Sequence, residues 1–202
     1  MIKKFVISKS MKVIKNYYPN YGKEQLEKIQ YGLEAIYLSL TKIVVITLLS
    51  LILGIFKETF IILLLFNLLR MTGFGIHATK SWICWITSVP TFIIIPIICK
   101  FFPLPLNYLL IISIVSLLSF IFFAPADTIK RPLIRKKRRR IYKILTISLG
   151  MFYLIVTIFT KNSFMRNALS FVMLIEAILI CPLTYKVFKM SYKNYKTYKK
   201  RV

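Results

Sequence analysis

FFPLPLNYLLIISIVSLLSFIFFAP, residues 101–125, is a run of 25 mostly apolar residues. A helix needs about 20 mostly apolar residues to cross roughly 30 Å of hydrocarbon, and this run is long enough. Further apolar runs occupy residues 36–56, 59–76, 82–99, 141–160 and 164–185. The pattern predicts an all-α polytopic membrane protein with about six transmembrane helices. Because Arg70, Gly73 and Gly75 interrupt the 59–76 run, we expect a short or broken helix there.

The composition excludes two other classes of protein. The chain has 202 residues, of which 57% are hydrophobic, and its 30 Lys and Arg against 6 Asp and Glu give a net charge of +24. Soluble globular chains are about 45–50% apolar, with their charges interspersed, whereas the charges here lie in separate blocks. Disordered chains are poor in large apolar residues. Neither a soluble domain nor a disordered chain fits.

Short basic segments separate the apolar runs and set the expected orientation. If the spans alternate from a cytoplasmic N-terminus, 25 Lys and Arg fall on one side and four on the other, with Lys42 inside the first run. Because cytoplasmic loops are enriched in Lys and Arg, we expect both termini and the 130–143 loop to be cytoplasmic in a bacterial cell membrane. The predicted division is a basic N-terminal segment at 1–35, a transmembrane domain at 36–185 and a basic tail at 186–202.

The basic blocks leave open what they bind. One interpretation is that they only fix the topology and bind anionic membrane lipid. A nucleic-acid partner is not predicted, because no segment resembles a nucleic-acid-binding module.

The segment RMTGFGIHATKSWIC, residues 70–84, concentrates the residues that could carry chemistry. A cysteine nucleophile needs a nearby base to become a thiolate, and histidine is the usual partner. In one continuous helix His77 and Cys84 would be separated by roughly 10 Å along the axis, so the helix must break between them. A turn would place Cys84 in the first turn of the next helix, where a thiolate is favoured. On spacing alone, a chance proximity of the two residues stays open.

The other candidates for chemistry have structural alternatives. Arg70 could bind a substrate carboxylate or a developing negative charge, or it could be a topology anchor at the membrane edge. Cys99 and Cys181 have no nearby base and are expected to act as small hydrophobic residues. With one histidine and dispersed cysteines, the sequence predicts neither a metal site nor a cofactor.

The sequence contains two motifs. The first comprises Arg70, Gly75, His77-Ala78 and Cys84, and the second is APADT at residues 124–128, followed by KRP at 130–132. Both resemble motifs of the accessory gene regulator B (AgrB) family of bacterial quorum-sensing membrane peptidases. The length, the basic character and the span pattern agree as well. The chain departs from the family pattern at Phe74, where a Gly or His is common, and at Ile76, where an aromatic residue is common.

This resemblance implies a cysteine endopeptidase, a thiol protease that cleaves a small amphipathic AgrD-like propeptide. Cys84 would be the nucleophile and His77 its base. The cleaved propeptide would remain on Cys84 as a thioester and then cyclise to a thiolactone or lactone autoinducer. The matching positions Arg70, Gly75, Asp127, Lys130 and Arg131 would bind substrate or support the site.

Several alternatives remain open at this point. Asp127 could orient the His77 imidazole as a third catalytic group, or it could end the fourth span and pair with Lys130 or Arg131; we favour the second interpretation. A non-catalytic small-peptide exporter would use His77 and Arg70 to line a polar pathway, and a membrane scaffold would need neither His77 nor Cys84. Short spans with polar edges would also suit a homodimer.

Overall fold

The computed structural model describes residues 2–76, 81–128 and 133–198, and helices account for most of them. The helices are α1 (Ile2–Tyr17), α2 (Lys23–Ile52), α3 (Phe56–Gly73), α4 (Ser81–Phe101), α5 (Leu106–Phe123), α6 (Lys136–Phe159), α7 (Ser163–Ile180), α8 (Pro182–Val187) and α9 (Asn194–Tyr198). Within these described ranges the only β-type pairing is an isolated bridge between Phe74 and Ala126. The predicted all-α class is confirmed.

The chain divides into two compact units, Met1–Leu49 and Ser50–Val202. In the first unit, Lys3 of α1 pairs with Glu34 of α2 at 2.6 Å. Helix α1 also carries the exposed apolar side chains of Phe5 and Val13 among its lysines. The second unit contains the remaining helices and both motifs.

Four helical stretches in the described residues are long and apolar enough to cross a membrane. They are Gln25–Ile52, Leu106–Phe123, Lys136–Phe159 and Ser163–Ile180. Helix α4 contributes the shorter apolar stretch Thr87–Phe101, and α3 carries charged residues near both ends. The membrane character is therefore confirmed, whereas the expected number of about six spans is not.

Prolines explain where two helices differ from the predicted runs. The 101–125 run becomes a helix only from Leu106, because Pro103 and Pro105 precede it. The 164–185 run divides at Cys181, whose backbone is extended before Pro182. Proline lacks an N–H donor and disfavours helical geometry at the preceding residue. Both boundaries therefore follow from local chemistry.

Helix α7 is the centre of the second unit and packs against α3, α4, α5 and α6. Its buried side chains meet those of its neighbours in one apolar core, which includes Ile62, Leu69, Cys99, Phe120, Tyr153, Leu169, Val172 and Met173. Polar contacts fix this packing. Asn167 of α7 donates to the carbonyl oxygens of Cys99 at 3.3 Å and Phe102 at 3.1 Å, and so holds the end of α4.

Candidate active site

The segment at residues 73–76, called here the docked segment, leads from α3 toward His77. Its backbone bonds to Ala126 on one side, through Gly75 N–H to Ala126 O at 2.9 Å and Ala126 N–H to Gly73 O at 3.0 Å. On another side, Ile76 N–H donates to Leu179 O of α7 at 3.1 Å. The structure thus brings together the two sequence motifs, which are about 50 residues apart in the chain.

Gly75 is required by the geometry of this segment. Its φ of +78° lies in the left-handed region, which glycine adopts without steric cost. A Cβ at this position would lie 2.8 Å from Leu179 O and would also meet the Arg70 guanidinium. The preceding Phe74 has a φ of +64°, and its ring packs edge-on against Tyr142 of α6 with 4.8 Å between centroids. Phe74, at which the sequence departs from the family pattern, therefore contacts α6.

Arg70 points inward from the last turn of α3. Its Nη2 donates to the carbonyl oxygen of Ile76, and its Nη1 lies 3.5 Å from Oε2 of Glu176. The side chain is only 16% exposed. The guanidinium therefore joins the docked segment to α7, a role that neither sequence interpretation of Arg70 included.

Glu176 of α7 is the functional candidate that sequence reasoning missed. Its side chain is fully buried, and among the described residues neither carboxylate oxygen has a hydrogen-bond partner. A Cβ on Gly73 would lie 2.5 Å from its Oε1. The signal was readable, because Glu176 is the only acidic residue in the apolar run 164–185, and ionisable residues within spans are commonly functional.

Asp127 is buried and holds the C-terminal part of the chain. Its carboxylate accepts from the backbone N–H groups of Asn194 at 2.9 Å and Tyr195 at 2.8 Å, where α9 begins, and from Leu133 N–H at 3.4 Å. The structure therefore gives Asp127 a capping role that neither sequence interpretation included. Its three proposed partners, His77, Lys130 and Arg131, lie outside the described residues.

Tyr185 of α8 supports the same region. Its buried hydroxyl donates to the carbonyl oxygens of Ala126 and Asp127, each at 3.2 Å. Burial raises the pKa of the Tyr185 phenol, which further favours the protonated form that donates these bonds. Ala126 is thereby held by α8 as well as by the docked segment.

A basic cavity of about 380 Å³ opens beside Ala126 and Asp127. Its cations come from α6 and the C-terminal segment, and aromatic rings form the rest of its wall: Lys136, Arg139, Arg140, Lys143 and Lys193, with Phe122, Phe123, Tyr192 and Tyr195. Arg139 is fixed, since its Nη1 donates to Leu133 O at 2.7 Å and its guanidinium lies 3.9 Å from the centroid of the Tyr195 ring. An anionic group attached to an apolar one would fit this lining.

The predicted dyad falls at the edge of the described residues. His77 lies outside them, directly after the docked segment. Helix α4 begins at Ser81, so the backbone of Cys84 belongs to its first turn. Unpaired N–H groups at a helix N-terminus favour a thiolate over a thiol. The described residues therefore include a hydrogen-bonded segment directly before His77 and a helix whose first turn contains Cys84.

Comparison with known proteins places these features in a family. The model of the family described as Accessory gene regulator B matches residues 7–180. An AgrB-like protein of Clostridium acetobutylicum is 33% identical, covering 88% of this chain and 85% of its own length. One from Listeria innocua is 35% identical, covering 85% and 84%. The accessory gene regulator protein B of Staphylococcus aureus is 30% identical, covering 79% and 83%. No solved structure matches the chain.

Proposed function

Because the chain belongs to the accessory gene regulator B family, we propose that it is a membrane cysteine endopeptidase that processes an AgrD-like quorum-sensing propeptide. The observation that supports this best is the geometry before His77. The docked segment is bonded to both Ala126 and α7, and Cys84 follows in the first turn of α4. Such fixed backbone is what a nucleophile and base need in order to meet reproducibly.

The proposed reaction proceeds through an acyl-enzyme. His77 accepts the Cys84 thiol proton, and the thiolate attacks a peptide carbonyl of the propeptide. The C–N bond breaks, the amine of the C-terminal fragment leaves with the proton from His77, and a thioester to Cys84 remains. His77 then accepts the proton of a thiol or hydroxyl within the bound peptide, which attacks the thioester carbonyl and closes a thiolactone or lactone ring. The C–S bond to Cys84 breaks, and the Cys84 thiolate recovers the proton from His77. Exclusion of water from the site would prevent hydrolysis of the thioester.

The basic cavity is the proposed contact for acidic side chains of the propeptide. It adjoins Ala126, which is also bonded to the docked segment, so a peptide held there would lie close to the approach to His77. Following the Lys and Arg distribution, we propose that this face is cytoplasmic. Lys130 and Arg131 would add to its positive charge, and anionic lipid and a second copy of the chain remain further proposed partners.

The test of the enzymatic proposal is co-expression with the propeptide encoded beside this protein, followed by mass spectrometry of the propeptide. We expect Cys84→Ser and His77→Ala to abolish cleavage, and the wild type to carry a covalent propeptide adduct on Cys84. Cys181→Ser is the matched control, because it also removes a thiol, and it should cleave normally. Cleavage that persists without Cys84 would contradict the peptidase and favour the peptide exporter.

The cavity proposal is tested with two double variants, each of which removes two positive charges from α6. Lys136→Gln with Arg140→Gln should weaken propeptide binding and flatten its salt dependence, since exposed charge interactions are screened by salt. Lys137→Gln with Arg138→Gln changes the net charge equally in the same helix turns, but these residues do not line the cavity. Equal binding by the wild type and the 136/140 variant at low salt would contradict the proposal.

A further inference from the structure

We propose that Glu176 is a positioning residue of this site: together with Arg70 it fixes the docked segment and thereby the placement of the residue that follows, His77. The inference rests on the proposed function, because it assigns Glu176 a part in the same reaction. It concerns a residue that belongs to neither sequence motif.

The position of Glu176 is energetically costly for a carboxylate. Glu176 is fully buried on a helix of membrane-spanning length, beside the core residues Val172 and Met173. An ionised carboxylate in such surroundings is costly, and an apolar side chain of similar volume is often the more stable choice in a packed core. Packing alone therefore gives no reason for a glutamate here.

A short chain of contacts connects Glu176 to Ile76, the residue before His77. Glu176 Oε2 lies 3.5 Å from Nη1 of Arg70, and Nη2 of Arg70 donates to the carbonyl oxygen of Ile76. Ile76 also donates its N–H to Leu179, which is three residues after Glu176 and so on the same face of α7. Helix α7 thus holds the residue before His77 through both its backbone and its carboxylate.

The carboxylate of Glu176 also fills the space beside Gly73, at the start of the docked segment. Oε1 of Glu176 lies 2.5 Å from where a Cβ of Gly73 would be. The carboxylate therefore occupies the space that a side chain on residue 73 would need. It thus lies against the start of the docked segment and, through Arg70, acts on its end.

The comparison with Asp127 supports this choice of carboxylate. Both residues are buried, but the oxygens of Asp127 accept backbone N–H groups of Asn194, Tyr195 and Leu133. Asp127 is thus occupied in capping. Glu176 has no comparable backbone partner among the described residues, so its charge acts on Arg70.

The test is Glu176→Gln, which keeps the volume and removes the charge, measured in the full-length protein with the propeptide. We expect kcat to fall on the order of 10- to 100-fold, because small displacements of catalytic groups cause losses of this size. KM should stay within about twofold of the wild type, because the basic cavity is unchanged. Glu176→Asp should give an intermediate kcat. The matched control is Glu58→Gln, which breaks the 2.9 Å pair with Lys100. Glu58 lies about 18 Å from Arg70 along α3, so this change should leave kcat unchanged.

A second measurement separates positioning from simple loss of folded protein. The pH dependence of Cys84 alkylation reports the coupling of the thiol to His77 without any substrate, and each rate is expressed per folded molecule. In Glu176→Gln we expect slower alkylation near neutral pH and an apparent thiol pKa closer to that of free cysteine. A normal kcat per folded molecule would overturn the proposal, and so would a reduced kcat with a normal alkylation profile.

The outcomes also distinguish this inference from the proposed function. If wild-type cleavage does not need Cys84, the proposed function fails before Glu176 is considered. If cleavage needs Cys84 but proceeds at the wild-type rate in Glu176→Gln, only the positioning role is overturned. Should the Gln variant not fold, the Asp variant decides alone, and a wild-type kcat and alkylation profile in it would overturn the role.

Discussion

The two ends of α3 carry the same arrangement of groups in different surroundings. At the first end, Lys100 lies 2.9 Å from Glu58 and donates to the carbonyl oxygen of Gly54 at 3.2 Å. At the second end, Arg70 connects Glu176 to the docked segment in the same way. In both places a cation joins a carboxylate to the backbone of the turn that adjoins α3.

The two ends differ in how far these groups are removed from solvent. The side chains of Lys100 and Glu58 are 33% and 18% exposed, whereas Glu176 is fully buried and Arg70 is 16% exposed. An exposed pair contributes little because water and salt compete with it, whereas removal of one partner of a buried pair leaves an uncompensated charge. Burial, rather than the pairing itself, should therefore make the second pair the more costly one to disrupt.

The adjoining glycines show the same contrast. Gly54 and Gly75 both have left-handed backbone, with φ values of +64° and +78°. A Cβ on Gly54 would have nothing within 4 Å, whereas a Cβ on Gly75 would meet Leu179 and Arg70. Gly54 is needed only for its backbone angle, whereas Gly75 is needed also because Leu179 and Arg70 leave no room for a side chain.

The largest expected effect comes from alanine at these two glycines. Gly54→Ala should cost about 1–2 kcal/mol of unfolding free energy, the cost of left-handed backbone in an alanine, and leave cleavage unchanged per folded molecule. Gly75→Ala pays the same backbone cost, forces the docked segment away from Leu179 and should abolish detectable cleavage. Unfolding in detergent and mass spectrometry of the propeptide measure the two effects. Equal loss of cleavage in the two variants would show that close approach at Gly75 adds nothing to the cost of its backbone angle.

A smaller effect is expected from coupling between Gly73 and Glu176. Gly73→Ala should destabilise the wild type, because its Cβ would press on Oε1, but less so in a Glu176→Ala background, where that oxygen is absent. The coupling free energy from a double-mutant cycle should be about 0.5–3 kcal/mol. Gly150→Ala is the control, since its Cβ would meet Phe120 and Leu117 instead, and it should combine additively with Glu176→Ala. Additivity at Gly73 would show that the carboxylate does not press on the docked segment.

The fold was largely predictable because its signals are local. Each apolar run in the sequence contains most of one helix, and even the earlier end of α7 follows from Pro182. The expectation of about six spans counted the interrupted 59–76 run as one of them, and α3 departs from it because it carries Lys57, Glu58 and Arg70. Charges that pair within the folded chain are not distinguishable in the sequence from charges that end a span.

The arrangement of the site was less predictable because its contacts are distant in the chain. The sequence motifs pointed to Arg70 and Gly75, but not to the partners that fix them on α7. Asp127 accepts from Asn194, which is 67 residues away, so its capping role leaves no local pattern. Glu176 was the exception, since an isolated carboxylate in an apolar run is a signal in its own right.

The smallest expected effect is at the exposed end of α3. Lys100→Gln removes the cation that bridges Glu58 and Gly54, and because the pair is partly exposed its loss should cost only about 0.2–1 kcal/mol. Arg70→Gln is the corresponding change at the buried end, and it should cost about 3–5 kcal/mol because Glu176 is left buried without a counter-charge. Unfolding of both variants in the same detergent measures the difference. Because salt screens exposed pairs much more than buried ones, high salt should lower the unfolding free energy of the wild type only by about the amount lost in Lys100→Gln. A larger loss would show that the buried pair at Arg70 is also weakened by solvent.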